Sequence, residues 1–142
     1  MKKLNIKLPK AYKPSEDEKY MNDLQLQYFK NKLLLWRKSL EKDITKTVRN
    51  LGKINLKEAD PNDRASVESE LNFELKAKYR YKRLISKIDI ALKRIERGTY
   101  GFCAKTFEPI GIKRLEARPV AILSINVQEE YERAKKTYNK KQ

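Results

Sequence analysis

The chain has 142 residues, the length of one domain, with 37% charged residues, 39% hydrophobic residues and only 4 glycines, a balance that suits a helix-rich protein with a modest core. Its net charge of +15 points to a polyanionic partner: nucleic acid, a nucleotide, or the acidic surface of an enzyme that works on nucleic acid. The absence of histidine, of a phosphate-binding glycine loop and of any nucleophile beside a base argues against an enzyme, and the lone Cys103 excludes an internal disulfide.

Residues 1–21 are polar, carry Pro9 and Pro14 and show no period. They read as an arm that is ordered only where it docks on something else. At Asn22, a good helix N-cap, the pattern changes. Leu26, Phe29, Leu33, Trp36 and Leu40 recur at spacings of 3, 4, 3 and 4, and Ile44, Val48 and Leu51 continue the seam at 4, 4 and 3. Gly52 weakens its end. Asp60-Pro61 then opens a second helix, with Asp as N-cap, Pro at the first helical position and Asp63 in the first turn. Val67, Leu71 and Leu75 start its seam, and Tyr81, Leu84, Ile88, Ala91 and Ile95 continue it to Arg97, where Gly98 stops it. Two seams of similar length joined by a short polar turn predict an antiparallel coiled-coil hairpin over 22–97, with its tip near 57–63.

A short head is predicted over 98–127. Phe102, Phe107, Ile110, Ile112, Leu115, Val120, Ile122, Leu123, Ile125 and Val127 are apolar, punctuated by Gly101, Pro109, Gly111 and Pro119. A last helix begins near Ser124, makes up 128–142 and turns basic at its end, which suits the helix dipole. The fold class is all-α: a long antiparallel coiled-coil hairpin, a small globular head and a C-terminal helix. The stretch GTYGFCAKTFEPIG in the head reads like half of a zinc knuckle, with a cysteine on a glycine-bracketed turn but no partner ligands.

Four segments, YMNDLQLQYFKNKLLLWRKSL, ADPNDRASVESELNFEL, ALKRIERGTYGFC and EPIGIKRLEARPVAIL, resemble the DksA/TraR family of bacterial transcription factors in order and spacing, from about Tyr20 to Tyr131. The resemblance implies a protein that binds RNA polymerase rather than DNA. In that family a coiled-coil hairpin enters the polymerase's secondary channel, and a head carries a four-cysteine zinc finger. With guanosine tetraphosphate, its members destabilise open complexes at ribosomal RNA promoters and activate some biosynthetic promoters.

Carried over residue by residue, the family's two tip aspartates and following alanine fall on Asp60, Asp63 and Ala65, where they act near the polymerase active centre. The structural alternative for the aspartates is helix capping, and the two roles are compatible. The family's guanosine tetraphosphate site matches Arg80, Leu84 and Lys87, on an arm that also carries Lys76, Lys78, Lys82 and Arg83; Gln128 stands where the family has a basic residue. Arg114 and Arg118 in IKRLEARP either contact polymerase or brace the head. The two Cys-x-x-Cys pairs fall on Cys103, Thr106, Ser124 and Val127, so three of the four zinc ligands are missing. A structural zinc needs four. The expectation is therefore a head that folds metal-free, with no cofactor, apolar packing in place of the metal crosslink and guanosine tetraphosphate as the effector. Zinc-independent paralogs of the family similarly lack part of the cysteine set.

Two other readings compete. A direct nucleic-acid binder explains the charge, but the aromatics sit mostly on seams rather than between basic residues. A structural coiled-coil adaptor explains the seams but not the Asp-Pro tip or the IKRLEARP segment. No apolar run approaches the roughly 18 residues of a membrane span, and the opening MKKLNIKLPKAYK has no apolar stretch of the length a signal peptide requires, so a cytoplasmic protein is expected, and an intramolecular hairpin argues for a monomer.

Overall fold

Four helices follow one another in a computed structural model of the chain, which describes residues 3–54 and 60–142. They are α1 (Asp23–Lys53), α2 (Pro61–Arg97), α3 (Ile112–Ala117) and α4 (Ile125–Lys140). Among the described residues there is no strand, only an isolated antiparallel bridge between Phe102 and Pro109. The fold is all-α and contains the helical hairpin that the two seams predict. Of the expected tip, residues 57–59 lie outside the described residues. The chain divides into two compact units, Leu34–Asp89 and a second formed by the residues up to Leu33 together with Ile90–Gln142.

The Leu34–Asp89 unit holds the distal halves of α1 and α2. Arg37 Nε donates to Asp89 Oδ1 at 2.8 Å and Asn50 Nδ2 to Glu74 Oε1 at 3.4 Å, so the partner number falls as the residue number rises and the arms are antiparallel. Among the described residues Leu40, Thr47, Ala77 and Ile88 are its buried ones. Hydropathy assigns Val48 to the seam, yet Val48 is 48% exposed and Thr47 is the buried residue. Geometry explains the exchange: two successive spacings of four drift off a 3.5-residue repeat, whereas Leu40, Ile44, Thr47 and Leu51 restore the alternation of four and three. On α2, Ala77 fills the gap that the larger apolar residues leave between Leu75 and Tyr81.

The helix start at Asp60 forms as its residue types dictate. Asp60 Oδ1 accepts from the backbone N–H of Asp63 at 2.9 Å, and its carbonyl accepts from Arg64 N at 2.8 Å. Pro61, which has no N–H to satisfy, occupies the first helical position.

The second unit is built around Phe29, Leu33, Ile95, Tyr100, Cys103 and Leu115, all at most 2% exposed. Phe29 meets Tyr28 edge-on at 5.3 Å and Tyr100 at 5.7 Å. The Tyr100 hydroxyl donates to the Pro119 carbonyl at 2.7 Å, which satisfies the one polar atom of a buried ring. Within the expected small head lies the short helix α3, and the last helix starts at Ile125, with Ser124 as its N-cap.

The N-terminal arm docks on this unit. Leu4 is buried, and its carbonyl accepts from Lys30 Nζ at 2.6 Å. Ile6 N donates to Gln27 Oε1 at 3.0 Å. The fully buried Gln25 accepts from Met21 N at 2.7 Å and donates to the Ser15 carbonyl at 3.1 Å. Tyr20 then ties the arm to the turn: its hydroxyl donates to the Gly101 carbonyl at 2.6 Å and accepts from Gly111 N at 3.0 Å. Its ring stands edge-on to Phe102 at 5.4 Å. Gly101 has φ 89°, and a Cβ there would lie 2.7 Å from Met21 Cγ and Sδ, so only glycine lets the arm approach. Tyr20→Phe deletes both hydroxyl bonds and leaves the two glycine backbone groups without them. A loss of about 1–3 kcal/mol is expected in urea-induced unfolding followed by near-UV circular dichroism; a change within the error of the measurement would show that the clamp carries no weight.

Candidate functional site

The chemistry-bearing residues fall into three groups, none of which is an enclosed active site. The first is the knuckle. Cys103 is fully buried. Burial pushes its thiol up, but the Thr106 hydroxyl and the backbone N–H groups of Ser124, Thr106 and Lys105 bond the sulfur and together pull it down to about 6. Those donors favour the thiolate, the form in which a cysteine binds metal. The other three positions do not supply ligands. Ser124 is engaged as an N-cap, its Oγ accepting from Val127 N at 3.4 Å. Val127 is a buried hydrocarbon, 4% exposed, and Thr106 offers a neutral hydroxyl. Among the described residues no group of three or more His, Cys, Asp or Glu side chains is placed to hold a metal. The donor set does not fit a structural zinc, which takes four thiolate or imidazole ligands.

What surrounds the knuckle is packing and hydrogen bonding. Arg94 donates from one guanidinium nitrogen to the carbonyls of Thr99 and Phe102, at 3.0 and 2.5 Å. Burial lowers its pKa below the ordinary arginine value, partly offset by the neighbouring Cys103 and Tyr100. Arg114 Nε donates to the Leu123 carbonyl at 3.1 Å, the bracing alternative for that residue. Arg118 is exposed; its backbone N–H donates to the Arg114 carbonyl at 2.8 Å and its carbonyl accepts from Ala121 N at 3.0 Å, while its guanidinium has no bonding partner among the described residues.

The second group is the start of α2. Asp60, Asp63 and Ala65 are all exposed. Asp60 spends an oxygen on the helix cap, whereas the Asp63 carboxylate has no bonding partner among the described residues. The two acids thus differ: one is structural by geometry, and the other projects an uncommitted charge.

The third group is basic. On α2, Arg80 and Lys87 are exposed and Leu84 is half-buried, and these residues, four and three positions apart, share one side of the helix. Arg80 lies over the Tyr81 ring at 5.4 Å. An open groove of about 610 Å³ runs beside them, lined by Lys76, Tyr79, Arg80, Lys82, Arg83 and Ser86. Tyr79, 59% exposed, is a lining residue that the heptad reading passed over. Its signal is its place three residues after Lys76 and four before Arg83. A second groove of about 540 Å³ lies on α1, lined by Lys38, Glu41, Lys42, Thr45, Lys46 and Arg49. Apolar periodicity does not mark it, because the repeat of lysine at every fourth position lies on the side opposite the seam.

Comparison with known proteins fits this arrangement. The description "DnaK suppressor protein DksA, N-terminal domain" matches residues 25–95, and "Prokaryotic dksA/traR C4-type zinc finger" matches residues 98–133. The RNA polymerase-binding transcription factor DksA of Caulobacter vibrioides (strain NA1000 / CB15N) is 50% identical over 127 residues, 89% of either chain. That of Salmonella typhimurium (strain LT2) is 40% identical over 115 residues, 81% of this chain and 76% of its own. The solved structure of transcription factor DksA2 from Pseudomonas aeruginosa superposes with a TM-score of 0.75 at 38% identity, covering 82% of this chain and 90% of that one. Hairpin, tip and cysteine-poor head together fall within one family, and the chain belongs to the DksA/TraR family.

Proposed function

We propose that this chain is an RNA polymerase-binding transcription factor that acts through its coiled-coil hairpin in the polymerase's secondary channel. The observation that carries the reading is the 50% identity with an RNA polymerase-binding factor, sustained over 89% of both chains, so that it spans hairpin and head alike. Asp63, exposed and uncommitted at the start of α2, supports an electrostatic role near the polymerase active centre. In this role the protein supplies a positioned charge and no catalytic group. Arg80 and Lys87, with Leu84 between them, meet the pyrophosphate groups of guanosine tetraphosphate through charge-assisted hydrogen bonds. Arg118 is the polymerase contact of the head, and Arg114 braces it. The head folds without zinc: a buried hydrocarbon, Val127, stands at one of the ligand positions, and burial of apolar residues such as Leu115 and Val120 offsets the lost metal crosslink, to which Phe107, 77% exposed, adds nothing.

The test is transcription in vitro from a ribosomal RNA promoter with cognate polymerase in zinc-free buffer. Shortened open-complex lifetime, deepened by guanosine tetraphosphate, is expected, from protein that carries far less than one equivalent of zinc by metal analysis. No effect from a folded, polymerase-bound protein would refute the regulatory role, and one full equivalent of zinc would refute the metal-free head.

A further inference from the structure

Lys38, Lys42 and Lys46 repeat at every fourth residue of α1, and Arg49 continues their side of the helix. All four are exposed and line one groove. Like charges four residues apart repel one another and weaken a helix. The one acid in the groove, Glu41, is already paired with Arg37, and Arg37 in turn holds Asp89. Thr45 turns its hydroxyl back to the Glu41 carbonyl at 3.0 Å and offers no charge. Among the described residues none of the four cations has an ion pair. Over the 11 steps from Lys38 to Arg49, at about 1.5 Å of rise each, four unit charges are spread along roughly 16 Å of helix.

We infer that this stripe is a second docking face, fitted to an acidic surface of RNA polymerase distinct from whatever α2 meets; the inference rests on the reading of the hairpin as an inserted element. A hairpin that enters a channel loses water around both of its helices. Four cations stripped of water without counter-charges would oppose insertion, so the wall they face carries carboxylates. The surface also speaks against a single nucleic-acid strand as occupant: the groove holds no aromatic side chain on which bases could stack. Such a stripe steers approach and fixes which way round the hairpin enters, and both effects fade as salt screens them.

The experiment compares three full-length proteins for binding to cognate core polymerase across a salt series. One is the parent, one K42A/K46A, and one K135A/K136A, which removes the same charge from exposed positions on α4. K42A/K46A is expected to bind about tenfold more weakly at low salt, chiefly through slower association, and with a flatter salt dependence. K135A/K136A should bind within about twofold of the parent. Helical content of K42A/K46A should be unchanged, since relieving like-charge repulsion does not unfold a helix. Equal binding by parent and K42A/K46A overturns the inference while leaving the proposed function intact. Equal losses in both variants also overturn it, because net charge alone would then account for binding. If K42A/K46A loses affinity for a 30-base-pair duplex but not for polymerase, the stripe is a nucleic-acid face and the inference falls. A parent protein that does not bind polymerase removes the proposed function itself.

Discussion

Asp63→Asn is expected to keep polymerase binding and to lose the effect on open complexes. The substitution preserves shape and removes one charge from an exposed side chain that bonds nothing among the described residues. Its structural cost is confined to an anion in the first turn of α2, about 0.3–1 kcal/mol, too little to unfold a 37-residue helix anchored at its far end by the fully buried Ile88, Ala91 and Ile95. Asp60 provides the internal contrast. Its oxygen caps the helix, and asparagine caps as well as aspartate does, so Asp60→Asn keeps the helix start, whereas Asp60→Ala costs about 1 kcal/mol there. Binding by competition and open-complex lifetime, measured on the same preparations, separate the two roles. Full activity of Asp63→Asn would remove the tip from the mechanism.

The seams were legible because a coiled coil repeats its burial every 3.5 residues and marks it with large apolar side chains. Reading broke down where geometry and hydropathy part company. Thr47 is buried although it is polar, and Val48 is exposed although it is not, because the turn angle of the helix decides which side chain faces the partner arm. Ala77 is buried in a gap too small to register as hydrophobic. The arm gave no signal at all. Its docking depends on single hydrogen bonds between residues as distant as Tyr20 and Gly111, and no periodicity encodes contacts of that kind. The tip aspartates were legible as caps from local chemistry, but only the geometry distinguishes the engaged Asp60 from the uncommitted Asp63. The lost ligands were plain in the sequence; the N–H groups that still surround the Cys103 sulfur were not, since backbone direction has no residue code.

Phe29→Ala is expected to destabilise the second unit, which holds the head, by about 3–5 kcal/mol, the range for truncating a buried aromatic residue. Phe29 is fully buried and stands between Tyr28 and Tyr100, so its removal opens a cavity and breaks two ring contacts at once. Against a total stability of about 5–15 kcal/mol for a domain, that loss brings the unit close to its unfolding midpoint at modest denaturant. Cys103 reports on this unit by itself, because it is the chain's one cysteine and is fully buried when the unit is folded. Its reaction with a thiol reagent across a urea series therefore measures this unit without interference from the distal hairpin, Leu34–Asp89, whose helices contribute strongly to far-ultraviolet circular dichroism. The same titration with a chelator present in place of the mutation should leave the parent curve unmoved. A head held by hydrocarbon packing responds to the lost ring and ignores the chelator. A head held by metal does the reverse, so a chelator-sensitive parent together with a Phe29→Ala loss under about 1 kcal/mol, well below that cavity range, would overturn the account of what stabilises it.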